Sequence, residues 1–231
     1  NHIYGMEALA VYCRNSFGIT TEEMQACYRK AGRIMTDRIG TDTAAIHSRM
    51  LRMQCMLELL EQPLFPHARN MYHAYWDTFI QHIQSNPGIL EFMKELKKRK
   101  IRIGIGTDMT AYVQYRKLEA IGVTPYIDFI VTSEEAGVEK PDYRIFSLCR
   151  EKAEVLPEDC VFIGDSLRHD IEGAKQAGMQ VIWYHKAELS EEEQQKAAQE
   201  NIPVMRQFSQ CIELLQPYVQ RGRGQKRCLE D

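Results

Sequence analysis

Cys160 to Trp183 reads CVFIGDSLRHDIEGAKQAGMQVIW, and this stretch decides the fold. Three apolar residues, Val161, Phe162 and Ile163, stop at Gly164 and give way to a helical pattern. A short apolar run that ends in this way is the signature of a buried parallel strand. Asp165 and Asp170 then fall in the loop outside the carboxyl end of that strand, where open α/β sheets hold their ligands. Two nearby acids repel each other unless a cation lies between them, and hard oxygen donors at an open site suit Mg²⁺. From these residues alone two readings stand. One is a magnesium site; the other is a turn at Asp165 with Ser166 or Asp170 capping the following helix.

Outward from this stretch, from Ser85-Asn86-Pro87-Gly88 onward, helices and β-rich runs alternate. The pattern predicts helix 88–99, strand 101–106, helix 110–121, strand 128–132, helix 141–153, strand 160–164, helix 169–177 and strand 180–184. Such alternation specifies right-handed βαβ units, hence an α/β fold with a Rossmann-like parallel sheet and helices on both faces. Residues 190–201 read as a polar helix or loop, 203–205 as a last short strand and 209–219 as a final helix.

Residues 4–83 carry helical signals only. Met6 to Phe17 is amphipathic and ends at Gly18; Thr20 and Glu23 form a capping box that starts a second helix running toward Gly40. A third helix is expected over 42–61, closed by Pro63, and a fourth follows Pro66. The Met and aromatic stripes of these helices read as core. The expected organisation is an α-helical domain at 1–84, an α/β core at 85–220 and a flexible basic tail at 221–231.

The composition excludes several functional classes. With 44% hydrophobic and 26% charged residues the 231-residue chain has an ordinary globular balance. Its net charge of −3 gives no electrostatic ground for nucleic acid or an anionic membrane surface. No apolar run reaches the roughly 20 residues of a membrane span, and no signal-peptide pattern opens the chain. Seven scattered cysteines without CxxC spacing read as reduced thiols, so a cytoplasmic protein is expected.

Other strand ends add chemistry. Strand IRIGIG runs into Thr107-Asp108, offering a hydroxyl and backbone N–H groups to a phosphate oxygen, or simply capping a helix. Lys140 precedes Pro141 at the start of the next helix, where it could neutralise a phosphate or carboxylate, or merely solvate the surface.

In order and spacing these motifs resemble the haloacid dehalogenase superfamily, in its subgroup with an α-helical cap and nucleotidase-like or sugar-phosphatase-like members. The resemblance covers Pro87 to Tyr184 and rests on TDMT, SEEAGVEKPDYRIF and VFIGDSLRHDIEGAKQAGM. It implies that residues 4–83 are the cap. It also implies that Thr107 and the Asp108 amide bind phosphate, that Lys140 holds the charges of nucleophile and phosphate together, that Asp165 ligates Mg²⁺ and that Asp170 supports it directly or through water. Asp108 stands where the family more usually has Asn. The activity implied is Mg²⁺-dependent hydrolysis of a small phosphate ester through an aspartyl-phosphate.

The family's DxDxT motif is missing. Asp128 and Thr132 have its outer spacing, but Ile130 takes the place of its second acid, and 128–132 reads as a different strand. A first strand bearing the two aspartates is therefore expected before Asn1, on roughly a dozen further residues. A phosphomutase, a dehalogenase and a noncatalytic module on the same scaffold are the alternatives.

Overall fold

The structure, a computed structural model, describes residues 1–222, with side chains as far as residue 216. Along the chain the elements are α1 (His2–Phe17), α2 (Thr21–Ile39), α3 (Arg49–Leu59), α4 (His67–Gln81), α5 (Ile89–Lys98), β1 (Gly104–Thr107), α6 (Ala111–Ala120), β2 (Phe129–Thr132), α7 (Ser133–Ala136), α8 (Tyr143–Ala153), β3 (Val161–Gly164), α9 (Gly173–Gln176), β4 (Gln180–Tyr184), α10 (Glu191–Gln199), β5 (Val204–Met205) and α11 (Cys211–Gly222). The class is α/β, as the alternation predicts. Beyond residue 222 the basic run and the rest of the expected tail lie outside the described residues.

The chain divides into two compact units. Among the described residues, one comprises Asn1–Gln84, Asp108–Gly122 and Thr132–Glu139; the other comprises Ser85–Thr107, Val123–Val131 and the chain from Lys140 onward.

Local chemistry shapes the first unit. Gly18 takes the left-handed conformation at φ 70° and its N–H closes α1 on the Arg14 carbonyl. The capping box forms as the residues dictate: Glu23 N–H donates to the Thr20 hydroxyl at 3.2 Å, and Thr20 N–H donates to the Glu23 carboxylate at 2.7 Å. The single helix expected over 42–61 is instead a 3₁₀ turn at Ala44–His47 followed by α3. Two hydroxyls cause the break: Thr43 accepts from Ala45 N–H at 3.4 Å and Ser48 from Leu51 N–H at 3.3 Å, so each starts a new element. Leu9, Met24, Met53, Met56, Met71 and Tyr75 are buried together, confirming the stripes as core.

In the second unit β3, β4 and β5 form a parallel sheet in that order, with Phe162 opposite Val181 and Gly164 opposite Trp183. β1 pairs with β2 in a separate sheet. Among the described residues, then, β1 and β3 each keep one unpaired edge. The apolar residues of β3 are only half-buried, whereas Val181, Ile182 and Trp183 of β4 are buried. Asp128 sits just before β2, where its carboxylate accepts from Lys97 at 2.6 and 2.9 Å and from Ile103 N–H at 2.7 Å. These bonds give it a structural task and agree with 128–132 belonging to another strand.

The six cysteines among the described residues are free thiols. Burial pushes the Cys13 and Cys211 thiols up to about 12, with Cys27 adding to the effect at Cys13. No helix among the described residues is long and apolar enough to cross a membrane.

Candidate functional site

The carboxyl end of β3 gathers the acidic residues. Gly164 ends the strand, and a β-carbon placed there would lie 2.3 Å from the Asp170 Cβ and 2.5 Å from its Cγ and Oδ2. Only a residue without a side chain lets Asp170 fold back over the strand end.

Asp170 reaches that position through a wide turn. The expected helix 169–177 begins as a π-helical segment, Leu167–Glu172, before the α-helical turn Gly173–Gln176. Ile171 N–H donates to the Ser166 carbonyl at 3.2 Å across five residues, and Asp170 N–H donates to the same carbonyl at 2.9 Å. Such single wide turns occur often at functional sites. Here the turn accompanies a nearly complete burial of Asp170.

A buried carboxylate needs partners. Lys140 donates to Asp170 Oδ1 at 2.5 Å, and Ser166 N–H donates to Oδ2 at 2.9 Å. The side chains of the pair are 11% and 6% exposed, so little water screens it. The structure thus brings together two residues thirty positions apart. The Ser166 hydroxyl meanwhile accepts from His169 N–H at 3.1 Å, the capping role open to it from sequence alone.

Asp165 is placed differently. Its backbone carbonyl accepts from the Trp183 indole N–H at 3.1 Å, which ties the loop to β4. The residue is exposed, and among the described residues its carboxylate has neither hydrogen bond nor ion pair. It is a hard oxygen donor held at a fixed point and left free.

Thr107 ends β1, half-buried, with a hydroxyl that makes no hydrogen bond among the described residues. Asp108 follows it directly and is also half-buried. The Phe162 ring links this strand end to Lys140. A β-carbon on Gly106 would lie 3.2 Å from that ring, and Lys140 Nζ stands 5.7 Å from its centre. Thr107 therefore lies one residue from a ring that also flanks the lysine.

Of these neighbours, Phe162 and Gly164 read in the sequence only as part of a strand and its end, with no sign of their contacts to Lys140 and Asp170, while a tryptophan in a buried strand must find an acceptor for its N–H. Several other polar side chains have local partners. His47 bonds Glu139 at 2.9 Å, His67 bonds the Tyr12 hydroxyl at 2.8 Å, and Arg52 stacks 4.7 Å over Tyr28.

Magnesium is usually held by one or two carboxylates with waters completing its shell. No cluster of three or more His, Cys, Asp or Glu side chains suited to a metal occurs among the described residues. The residues present fit that sparser mode: Asp165 can ligate directly, while Asp170, with both oxygens engaged, fits support through water.

A family model described as haloacid dehalogenase-like hydrolase matches residues 16–184. The chain is 34% identical over 170 residues to the ribulose-1,5-bisphosphate 5-phosphatase of Halopiger xanaduensis, covering 73% of this chain and 71% of that protein. It is 35% identical over 109 residues to the glyceraldehyde 3-phosphate phosphatase of Methanopyrus kandleri, 47% of each chain. In fold it is similar to the HAD phosphatase from Thermococcus onnurineus, with a TM-score of 0.67 at 21% identity, covering 93% of this chain and 89% of that one.

Proposed function

Because the chain belongs to the haloacid dehalogenase-like hydrolases, we propose that it is a Mg²⁺-dependent phosphatase of a small phosphorylated metabolite, working through an aspartyl-phosphate. The observation that carries this is the division of labour at the end of β3: one acid is spent holding Lys140 and the other is left free.

Charge explains why a cation belongs there. Lys140, Asp165 and Asp170 together carry a net negative charge, which repels a phosphate. A divalent ion beside Asp165 reverses that sign. Bound Mg²⁺ supplies charge neutralisation of the non-bridging phosphate oxygens. The chain's own residues do the rest. Thr107 donates its hydroxyl to a phosphate oxygen, Asp170 holds the Lys140 ammonium in place, and the Trp183 bond keeps the Asp165 loop from swinging away. Phosphoryl transfer depends mostly on such placement.

The nucleophilic aspartate and its general acid, on this proposal, ride on a further strand pairing with the free edges of β1 and β3. The half-buried apolar residues of β3 support such a partner, since an open sheet edge is otherwise a liability. The helical segment at 1–84 serves as the cap. Two curated relatives named as sugar-phosphate phosphatases support a substrate of that class.

The test is a panel of phosphate esters assayed with Mg²⁺ and with EDTA, on protein made from the complete coding sequence. Turnover should need Mg²⁺ and should nearly vanish in Asp165→Asn. Full activity in that variant, or in EDTA, overturns the proposal.

A further inference from the structure

α1 is apolar on both of its long sides. Its inner side buries Leu9, Ala10 and Cys13, while on its outer side Ile3 is 68%, Val11 52% and Tyr4 44% exposed. A helix that is apolar all round is ordinarily covered all round. An exposed apolar cluster with charges beside it marks an interaction surface.

Two charges share that outer side. With 3.6 residues per turn, Ile3, Tyr4, Glu7, Val11, Arg14 and Gly18 fall within one arc of about 100°. Glu7 and Arg14 are exposed, and among the described residues neither forms an ion pair. The Arg14 guanidinium donates to the Thr21 hydroxyl at 3.1 Å, an exposed and uncharged partner.

Their spacing singles out the occupant. A two-fold axis set across the helix midway between Glu7 and Arg14 lays a second α1 antiparallel on the first, and residues equally far from the axis then face each other. Glu7 meets the copy's Arg14 on both sides of the axis. Val11 lies beside the copy's Val11 close to it, and Ile3 meets the copy's Gly18.

Room exists at that last place. Gly18 turns the chain at φ 70°, and a β-carbon on it would meet nothing within 4 Å. Beside it opens a hollow of about 320 Å³ lined by Arg14, Gly18, Ile19, Thr20, Thr21 and Glu22. The projecting Ile3 and Tyr4 at one end of the stripe and the hollow at the other lie at matching distances from the axis, so each copy fills the other. The surface is thus complementary to itself in charge and in shape.

We propose that this face of α1 docks on the same face of a second copy of the chain, antiparallel about a two-fold axis. The helix is roughly 24 Å long, so the contact is small and the dimer forms and dissociates with concentration. The inference stands apart from the hydrolytic reading, since nothing in it concerns turnover.

Sedimentation velocity tests it on protein made from the complete coding sequence. Between micromolar and millimolar concentration at low salt, monomer should give way to dimer, and added salt should shift the balance back. Glu7→Arg alone sets arginine against arginine on both sides of the axis, and Arg14→Glu alone sets glutamate against glutamate. Each should weaken association about tenfold or more. An equimolar mixture of the two variants restores both pairs and should associate as the parent does, as should the double variant Glu7→Arg/Arg14→Glu. Recovery in the mixture also shows that both single variants are folded. A chain that stays monomeric throughout overturns the proposal, and so does a dimer indifferent to both single substitutions. Weakened association that neither the mixture nor the double variant recovers overturns it as well.

Discussion

Lys140 and Asp170 are joined by a 2.5 Å hydrogen bond between side chains that are 11% and 6% exposed. Removing one member of such a pair strands a charge in a poorly hydrated place. Asp170→Asn or Lys140→Met should each cost about 3 kcal/mol in chemical denaturation. The double variant Lys140→Met/Asp170→Asn should cost clearly less than the two singles combined. Additive losses would show that the two side chains do not act as a pair.

Gly164 makes the pair possible, because any β-carbon there meets Asp170 at 2.3 Å. Gly164→Ala should destabilise the protein by about 1–3 kcal/mol, the cost of forcing a methyl group into filled space. Its stability loss should shrink when Asp170 is also shortened to Ala. A Gly164→Ala protein as stable as the parent would mean that Asp170 moves aside freely.

Asp165 should behave in the opposite way. The loop is anchored through its carbonyl by Trp183, and the side chain is exposed and unpartnered among the described residues. Asp165→Asn should therefore change unfolding free energy by less than about 0.5 kcal/mol while abolishing Mg²⁺-dependent turnover. A large loss of stability would assign the carboxylate a structural task instead.

Asp128 gives the molecule an acid-sensitive point. The Lys97 ammonium, with help from Ile103 N–H against the opposing effect of burial, lowers its carboxyl pKa from the ordinary 3.8. A carboxyl held lower in the folded chain than in the unfolded one contributes stability above the unfolded value, and that contribution disappears as pH falls through the folded one. Asp128→Asn should thus be less stable than the parent by about 1 kcal/mol near neutrality, a figure discounted for the partial exposure of the pair. The two stability curves should converge below pH 3.8. Parallel curves over the whole range would exclude the Lys97 bond as the cause.

Much of this architecture is legible in the sequence because it is written in local patterns. The Thr20–Glu23 box, the stop at Gly18 and the strands ending at Thr132 and Gly164 all follow from residues within a few positions of one another, whereas the strand expected over 101–106 is displaced to Gly104–Thr107. Cooperation between distant residues is not written that way. Nothing in the spacing of Lys140 and Asp170 announces their bond, and a helical pattern from 169 to 177 does not reveal the wider turn that buries Asp170, since one extra residue leaves the apolar period intact. Likewise Thr43 and Ser48 look like tolerable residues inside a helix over 42–61, yet each offers the backbone a competing partner and divides it. The grouping of 108–122 and 132–139 with the helical segment rather than with the flanking strands is also a property of packing alone.

The Trp183 indole gives the molecule a built-in optical probe. It is buried, and its N–H is bonded to the backbone of the residue that presents the free carboxylate. Indole emission responds to the field along its N–H, so any ion arriving at Asp165 would alter the colour or brightness of this one chromophore. Exchanging Trp76 for Phe would leave Trp183 as the sole tryptophan, and with excitation that spares the tyrosines the filling of the site could be followed in real time without a substrate.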